Sequence, residues 1–511
     1  MKKQTKSLMV LAGVLAVLLI IWAASPLWLN REPDETTITT REEIDPIFQS
    51  EAEDIARVEI SHEQDTFALL PDAVTDSDGK ISYDWQVEGM EDYPFAQTDL
   101  SAVANMAKSV YTSTEIESAA SDLAPYGLDD PQAMFSVVLK NGSRHDIKVG
   151  SLMPNKSYYY AMLDDSGRVC SLAKATGDRM MQTRLDLLDG DQVVSVEESD
   201  LTGFIFERAR DAARIAVDCQ LVGEPGTPES YIEYELREPI IRPGGSGNLN
   251  MLITETLAMT AADFVEIDPV DLAPYGLSSP QYLLNLQTAA GETEIKIGSQ
   301  ADSNHFYAIS SEIPAVFKLP TSTFTSIDMK VIDMLDRFVA LVSIWKVDRI
   351  DGNIFGETFS TEISMTQENR TTDEDVVLTL DGQDAKIVDE KGKSLYTKFY
   401  QRLISVMIAG LEPEAEPDNT KDASMVFHMK ADPETGRAAY TQTVEFAPRD
   451  DYTYYVFIDG EYSGFYVEKE ASFESTRKEY EGITVALDMM RYAISHAEDG
   501  VFNTEEGYPL N

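Results

Sequence analysis

The 511-residue chain is poor in the residues that usually form covalent cross-links. It has two cysteines, Cys170 and Cys219, far fewer than hold together a disulfide-rich secreted scaffold. They stand at positions that do not correspond between the two sequence repeats described below. We therefore expect two unpaired, partly buried thiols, and one disulfide between the repeats is the alternative.

Histidine is equally scarce, and its five copies form no pattern. No two of them are three or four residues apart, and none stands in a zinc-binding motif. We interpret all five as scattered surface or edge-strand residues: His62, His145, His305, His428 and His496.

Basic residues are outnumbered by acidic ones, 41 to 89, for a net charge of −48. Because affinity for a phosphate backbone comes mainly from lysine and arginine, this balance excludes nucleic acid as a partner. Solubility outside the cell is the interpretation that the acidity favours. Dedicated binding of a basic partner is the alternative.

Motifs of catalysis and cofactor binding are missing as well. There is no Gly-x-Ser-x-Gly elbow and no phosphate-binding Gly-x-x-x-x-Gly-Lys. The glycine-rich stretch 243–247 lacks dinucleotide-loop spacing and is interpreted as a connector. The acidic run 72–79 lacks the ligand order of an EF-hand, so we favour a solvated turn over a weak cation site. The sequence thus predicts no catalytic residue, no cofactor and no metal site.

One long apolar run is present, at the amino terminus. Residues 8–29 are long enough to cross a bilayer, lysines precede them, and acidic residues dominate the segment after them. We predict a cytoplasmic tail (1–7), an uncleaved transmembrane signal anchor (8–29), a linker (30–50) and an extracellular remainder. The expected location is the cell membrane, crossed once. A removed signal peptide is the alternative.

The strongest positive feature is an internal duplication. Residues 122–132 read DLAPYGLDDPQ, and residues 271–281 read DLAPYGLSSPQ. Hairpin turns, a Lys-x-Gly strand end and an aromatic run come next at matching offsets, which indicates that a whole structural unit was copied. A third copy without the Pro-Tyr-Gly-Leu phrase completes the chain. We predict a first repeat (51–192), a second repeat (193–338), and a degenerate third repeat with a C-terminal tail (339–511).

The alternation of strand and helix patterns predicts an α+β fold. In this prediction, three tandem repeats of a small antiparallel sheet are each covered by one main helix, after a single N-terminal transmembrane helix. The expected helix of the first repeat runs from Leu100 to Val110, and the third repeat is expected to open with a strand at 344–347.

Four aromatic residues are candidates for partner binding. Tyr126 and Tyr275 stand in the repeated Pro-Tyr-Gly-Leu phrase, which is typical of a structural corner because proline and glycine favour a turn. A binding loop built on these tyrosines is the alternative. Tyr159 and Phe306 lie in the aromatic runs, whose outward-facing half could form a surface for a partner.

Together, the anchor, the Tyr-Gly-Leu-x-x-Pro corners (126–131 and 275–280) and the meander after each corner resemble a bacterial family, the DUF4340 domain of unknown function. The resemblance implies a membrane-tethered, exported protein, often encoded beside ABC-type transporter subunits. It implies no catalytic residues.

These observations lead to one hypothesis with two rivals. The first is a non-enzymatic, single-pass, extracytoplasmic accessory protein that associates with an ABC-type transporter or a cell-envelope complex. The second is an extracellular ligand- or wall-binding module that uses grooves between repeats. The third is an exported hydrolase, which a carboxylate cluster around a deep pocket would favour.

Overall fold

A computed structural model describes residues 46–75, 77, 81–227, 230–433, 436–477 and 481–504. The predicted tail, the anchor at 8–29 and most of the linker lie outside these residues. Within the described ranges, no helix combines the length and the apolar character needed to cross a membrane.

The chain divides into two compact units. The first holds the described residues up to Glu91 together with Phe95–Arg184. The second holds Asp92–Pro94 and the described residues from Leu185 onward, so the second and third repeats share one unit.

The first unit contains most of the first repeat, without Asp92–Pro94 and residues 185–192. Its strands are β1 (Pro46–Gln49), β2 (Ile55–His62), β3 (Thr66–Thr75), β4 (Ile81–Val87), β5 (Ser109–Tyr111), β6 (Thr114–Glu117), β7 (Ala133–Leu139), β8 (Arg144–Leu152), β9 (Tyr158–Leu163) and β10 (Val169–Ala173). Eight of them form one sheet in the order β4-β3-β2-β7-β8-β9-β10-β6, and β1 pairs with β5. Its helices are α1 (Gln97–Ala104) and α2 (Lys174–Met180), and α3 (Arg184–Leu187) lies at the boundary of the units.

The second repeat forms a nine-stranded sheet in the second unit. Its strands are β11 (Leu201–Arg208), β12 (Ala213–Val222), β13 (Tyr231–Glu238), β14 (Arg242–Pro243), β15 (Asp263–Ile267), β16 (Tyr282–Thr288), β17 (Glu292–Asp302), β18 (His305–Ser310) and β19 (Ile313–Pro320). Their order is β14-β13-β12-β11-β16-β17-β18-β19-β15, and α4 (Gly247–Leu257) precedes β15 in the chain.

The third repeat also forms a nine-stranded sheet. The strands of the repeat, nine of which form this sheet, are β20 (Val347–Ile354), β21 (Glu357–Ser364), β22 (Val377–Leu380), β23 (Gln383–Asp384), β24 (Val388–Asp389), β25 (Ile408–Leu411), β26 (Ala423–Met429), β27 (Tyr440–Pro448), β28 (Thr453–Ile458), β29 (Glu461–Glu468) and β30 (Val501–Phe502). The sheet order is β23-β22-β21-β20-β26-β27-β28-β29-β25, whereas β24 pairs with β30. Two helices, α5 (Leu395–Ile404) and α6 (Ile483–His496), complete this repeat.

The three large sheets share one strand order. In each, the first strand of the repeat pairs with the first strand of the meander, at Ile60↔Phe135, Phe206↔Leu284 and Ile350↔Phe427. All six side chains are fully buried. Along β26 buried and half-buried residues alternate, as expected when one face of a strand packs on a core. Three sheets of the same order support duplication of one structural unit.

The predicted fold class is wrong. The chain is built mainly from antiparallel sheets, and each repeat has a large sheet of eight or nine strands in place of a small one. The helix expected to cover the second sheet, α4, has 11 residues. It is therefore roughly 16 Å long, against a sheet width on the order of 38 Å at about 4.8 Å between strands. Such a helix cannot cover the sheet.

Two local expectations also fail. The helix predicted to reach Val110 ends at Ala104, and Val110 lies in β5 because that segment pairs with β1. The strand expected at 344–347 is a 3₁₀ turn over Ile344–Lys346, and β20 begins at Val347.

Candidate functional site

The corner of the first repeat places Tyr126 at the end of a 3₁₀ turn. The Asp122 carboxylate accepts a hydrogen bond from the Ala124 amide at 3.1 Å, and Gly127 adopts φ 66°, which ends the turn. Tyr126 Oη donates to Glu117 Oε2 at 2.6 Å, which raises the pKa of the phenol. The ring packs edge-on against Tyr160, with 5.0 Å between centroids.

The second repeat reproduces this arrangement. Tyr275 Oη donates to Glu266 Oε2 at 2.6 Å, and its ring lies 5.0 Å from that of Tyr307, also edge-on. The bond to Glu266, with burial second, raises the pKa of Tyr275 to about 12. Both candidate tyrosines are therefore half-buried and hydrogen-bonded within their own corner. This geometry favours the structural interpretation of the phrase.

Sequence reasoning missed the two glutamates of these corners. Glu117 and Glu266 lie on β6 and β15, short edge strands that were not predicted. A signal was available, because each glutamate precedes its tyrosine by nine residues. The repeated Glu-x₈-Tyr spacing could have identified both pairs.

Tyr159 faces the interior, contrary to the expected outward surface. It is 7% exposed, and Tyr159 Oη donates to Asp178 Oδ1 at 2.8 Å. Burial, together with this bond, raises its pKa to about 12. The ring packs so closely on α2 that a Cβ at Gly177 would lie 2.4 Å from it. Phe306 is half-buried on β18. Tyr159 therefore cannot belong to an exposed aromatic surface, and binding by Phe306 stays a prediction.

In the third repeat an arginine replaces the corner tyrosine as the donor. Arg449 Nε donates to Glu412 Oε2 at 2.8 Å, which lowers the pKa of Glu412. The guanidinium lies over the Tyr466 ring, 4.2 Å from its centroid. Tyr462 Oη donates to the Glu412 carbonyl at 2.8 Å. The degenerate copy thus pairs a carboxylate with a cation, and that carboxylate lies two residues beyond the position of Glu266, where the third repeat has Gly410.

A groove of the second unit lies beside the segment that joins its two repeats. Its volume is about 670 Å³. The Ile408 amide donates to the Arg337 carbonyl at 2.7 Å, and the Arg337 guanidinium donates back to the Ile408 carbonyl. Phe338 forms an isolated bridge with Met407, whose side chain is 44% exposed. These contacts form one wall of the groove.

Charges of both signs line this groove. Arg402 and Glu481 form an ion pair at 3.4 Å and are 23% and 16% exposed. The other wall carries Glu468, Glu470 and Ser472. A second cavity of about 570 Å³ shares Arg337 with the first. Such a mixed lining can hold a ligand with both polar and apolar parts.

A Ser-His-Asp cluster on the third sheet does not have the geometry of a catalytic triad. His428 Nε2 lies 2.7 Å from Asp351 Oδ2, and Ser360 Oγ donates to Asp351 Oδ1 at 2.8 Å. A triad needs the serine hydroxyl bonded to the histidine. Here both groups bond to the aspartate, which makes a cross-strand polar network.

Neither cysteine is poised for reaction. Both are free and buried. Burial raises the pKa of Cys170, and burial beside Asp218 raises that of Cys219 to about 12. Both thiols are therefore protonated near neutral pH. The expectation of two unpaired thiols is confirmed.

Metal-ligand side chains do not cluster in the described ranges: they contain no group of three or more histidine, cysteine, aspartate or glutamate residues placed to hold an ion. The acidic run 72–79 is described only at 72–75 and 77, so its candidate cation site falls partly outside those ranges.

Comparison with known proteins identifies one family. The model of a domain of unknown function (DUF4340) matches the chain twice, over residues 85–242 and 235–419. The two matches together span well over half of the chain, and the second ends inside the third repeat. No curated protein and no solved structure matches.

Proposed function

This chain belongs to the DUF4340 family, and from that premise we propose that it is a non-enzymatic accessory protein that binds another protein of the cell envelope. Residues 8–29 anchor it in the membrane, and the bulk of the chain lies outside the cytoplasm. Its partner is a subunit of an ABC-type transporter or of another envelope complex.

Contacts within the second unit support this proposal most, because side chains from loops pack onto its two corners. Ile240, from the loop before α4, is 5% exposed and lies against Gly464 of the third repeat. Tyr93 Oη donates to both carboxylate oxygens of Asp268, at 2.7 and 2.6 Å. The fold thus repeatedly presents a corner that receives one large side chain from a loop. Such a surface is suited to recognising proteins.

The polar clusters support the same proposal. The corner tyrosines bond to Glu117 and Glu266, and Asp351 accepts hydrogen bonds from two neighbours. Groups engaged in this way stabilise the sheets and are not poised to react with a substrate.

Co-purification tests the proposed association. The tagged full-length protein is extracted from its own membranes in a mild detergent, and the bound proteins are identified by mass spectrometry. We expect subunits of an ABC-type transporter, recovered again when the tag is placed on the transporter. Recovery of the protein alone in several detergents would contradict the proposal.

Fractionation tests the anchor separately. We expect the full-length protein in the membrane fraction at high salt, and a variant lacking residues 1–29 in the soluble fraction. Equal partition of both proteins would show that these residues do not anchor the chain.

The groove beside Arg337 favours a second candidate function, binding of a wall glycan or peptide. Its volume of about 670 Å³ lies in the range of ordinary ligand pockets. Glycan and peptide arrays with the full-length protein would test this function. We expect binding that Met407→Arg abolishes, because the longer charged side chain enters the groove. An array without a signal for the unaltered protein would exclude these ligands.

A further inference from the structure

In all three repeats, one backbone hydrogen bond marks the place where the edge strand ends. The residues around this bond, a few positions before the Tyr-Gly-Leu turn in the first two repeats, form an equivalent corner. The amide at the end of the edge strand donates to a carbonyl in the last hairpin of the meander. The pairs are Ala120 to Gly167, Asp268 to Pro314, and Glu412 to Gly464, each at 2.8 Å. The equivalence rests on this bond and does not depend on the side chains, which differ.

The second and third corners are covered within the second unit. Tyr93 reaches Asp268, and Ile240 lies so close to Gly464 that a Cβ there would be 2.6 Å from the isoleucine Cγ2. Tyr93 and Ile240 both lie between a strand and the main helix of their repeat, β4 and α1 in the first and β13 and α4 in the second, although Arg242 is the residue that stands at the repeat offset of 149 from Tyr93. Covering a corner with a loop side chain is therefore a repeated feature of the fold.

The loop residue of the third repeat is engaged differently. Ile387 stands 147 positions after Ile240 (387 − 240) and is 7% exposed. The next residue, Val388, donates to the Gly500 carbonyl at 3.0 Å and pairs with β30. The chain's own C-terminal strand thus lies against this loop, so a second copy of the protein would have to release that strand before offering the loop to a free corner.

The corner of the first repeat is exposed. Ala119 is exposed, Ala120 is half-buried and Ile116 is 39% exposed. The atoms nearest to a Cβ on Gly167 belong to Ala119 and Ala120, at 3.4 Å and beyond. All four residues of the adjoining edge strand β6 are exposed, whereas those of β15 and β25 are mostly half-buried.

We propose that the first corner, defined by Ile116, Ala119, Ala120 and Gly167, is a docking surface for a different protein. That partner presents a loop and inserts one large aliphatic side chain, as Ile240 does against Gly464. An aliphatic residue fits better than a tyrosine because Ala120 stands where Asp268 receives the Tyr93 hydroxyl. This inference rests on the proposed function and specifies the surface that the partner uses.

Photo-crosslinking in intact cells tests the docking surface. The photo-reactive amino acid p-benzoylphenylalanine replaces Ile116 in the full-length protein, and a matched control carries it at Tyr231, an exposed aromatic position of the second unit. We expect an adduct with a different protein at 116 only, and mass spectrometry should place it on a peptide that contains isoleucine, leucine or valine.

A second variant makes the test specific. Ala119→Arg in the 116-labelled protein should lower the adduct by about tenfold or more, because a charge replaces the apolar contact. Ala289→Arg, in an exposed hairpin turn, should leave it unchanged. No adduct at 116, an adduct insensitive to Ala119→Arg, or an adduct with a second copy of this chain would overturn the inference.

The two proposals fail in different ways. If the crosslinked protein is not a transporter subunit, the docking surface stands and the transporter association falls. If transporter subunits co-purify equally with Ala119→Arg, the association stands and the docking surface falls.

Discussion

The second and third repeats share one strand order but stabilise equivalent places with different chemistry. The second corner joins a neutral phenol to a carboxylate, Tyr275 to Glu266, whereas the third joins a guanidinium to one, Arg449 to Glu412. The strand order is the same in both sheets, although the hydrogen-bond donor differs. The two carboxylates are not at the same position, because Gly410 pairs with β29 where Glu266 pairs with β19, and Glu412 follows two residues later.

The end of the first strand shows the same contrast. In the second repeat Arg208 is 2% exposed and donates to Asp211 and to the Ile327 and Met329 carbonyls. In the third repeat the equivalent region holds a cluster of rings in which Phe473 packs edge-on against Phe446 at 5.0 Å. One repeat thus uses a buried hydrogen-bonded cation where the other uses apolar packing.

The largest expected effect is in the aromatic cluster. Phe473 is fully buried, so Phe473→Ala should lower the free energy of unfolding by about 4 kcal/mol through lost burial and a cavity. Urea denaturation followed by circular dichroism measures it, and the loss should not depend on salt. A loss under about 1 kcal/mol would show that the cluster is not a core element.

The second-largest loss of stability is expected when the buried arginine is replaced. Arg208→Met should cost about 3 kcal/mol, because two carbonyls and Asp211 lose their donor. Arg210→Met serves as the control, since Arg210 is 54% exposed and its change should stay within about 0.5 kcal/mol. Equal losses for both variants in urea denaturation would contradict the contrast between the repeats.

The tyrosine corner should show a smaller, pH-dependent effect. Tyr275→Phe should cost about 1 kcal/mol at neutral pH, low for a bond to a carboxylate because water reaches the pair. The pKa of Tyr275 is about 12 in the folded protein and about 10 in the unfolded chain. The stabilisation is therefore complete below pH 10 and is lost as the pH rises from 10 to 12. A constant difference across that range, with Tyr231→Phe as control, would argue against the bond.

The smallest expected effect is at the arginine corner, and it has the opposite pH dependence. Arg449 lowers the pKa of Glu412, so its contribution is present above the ordinary glutamate value of about 4.3 and is lost as the pH falls through the folded value. Arg449→Met should weaken the protein less in 1 M salt than in 0.05 M salt, whereas Tyr275→Phe should be almost insensitive to salt. If the two variants responded to salt equally in thermal denaturation, the two corners would not differ in the chemistry that stabilises them.

Local patterns predicted some elements well. The aromatic run that holds Tyr159 lies on the meander strand β9, and Gly127 and Gly276 adopt the positive φ angles expected of the repeated turn. These features depend on residues within a few positions of one another. The edge strands β6 and β15 were missed because each is short and is defined by pairing with a distant strand.

The candidate site could be predicted only in part. The sequence located the corner tyrosines, but Tyr159 turned inward because its partner Asp178 and the close approach of Gly177 depend on how α2 packs. The helix expected through Val110 was shortened by pairing between β5 and β1, which tertiary structure imposes over local propensity. The widths of the sheets were underestimated for the same reason.

The amino-acid sequence alone determined that a structural unit was copied, where its turns lie and that the chain is acidic, since each depends on composition or on neighbouring residues. Only the tertiary structure decided which groups meet at the corners. Ile240 reaches Gly464, and β30 returns to pair with β24, across more than 100 residues each. No local pattern encodes such contacts, because they arise when whole sheets bury their apolar faces.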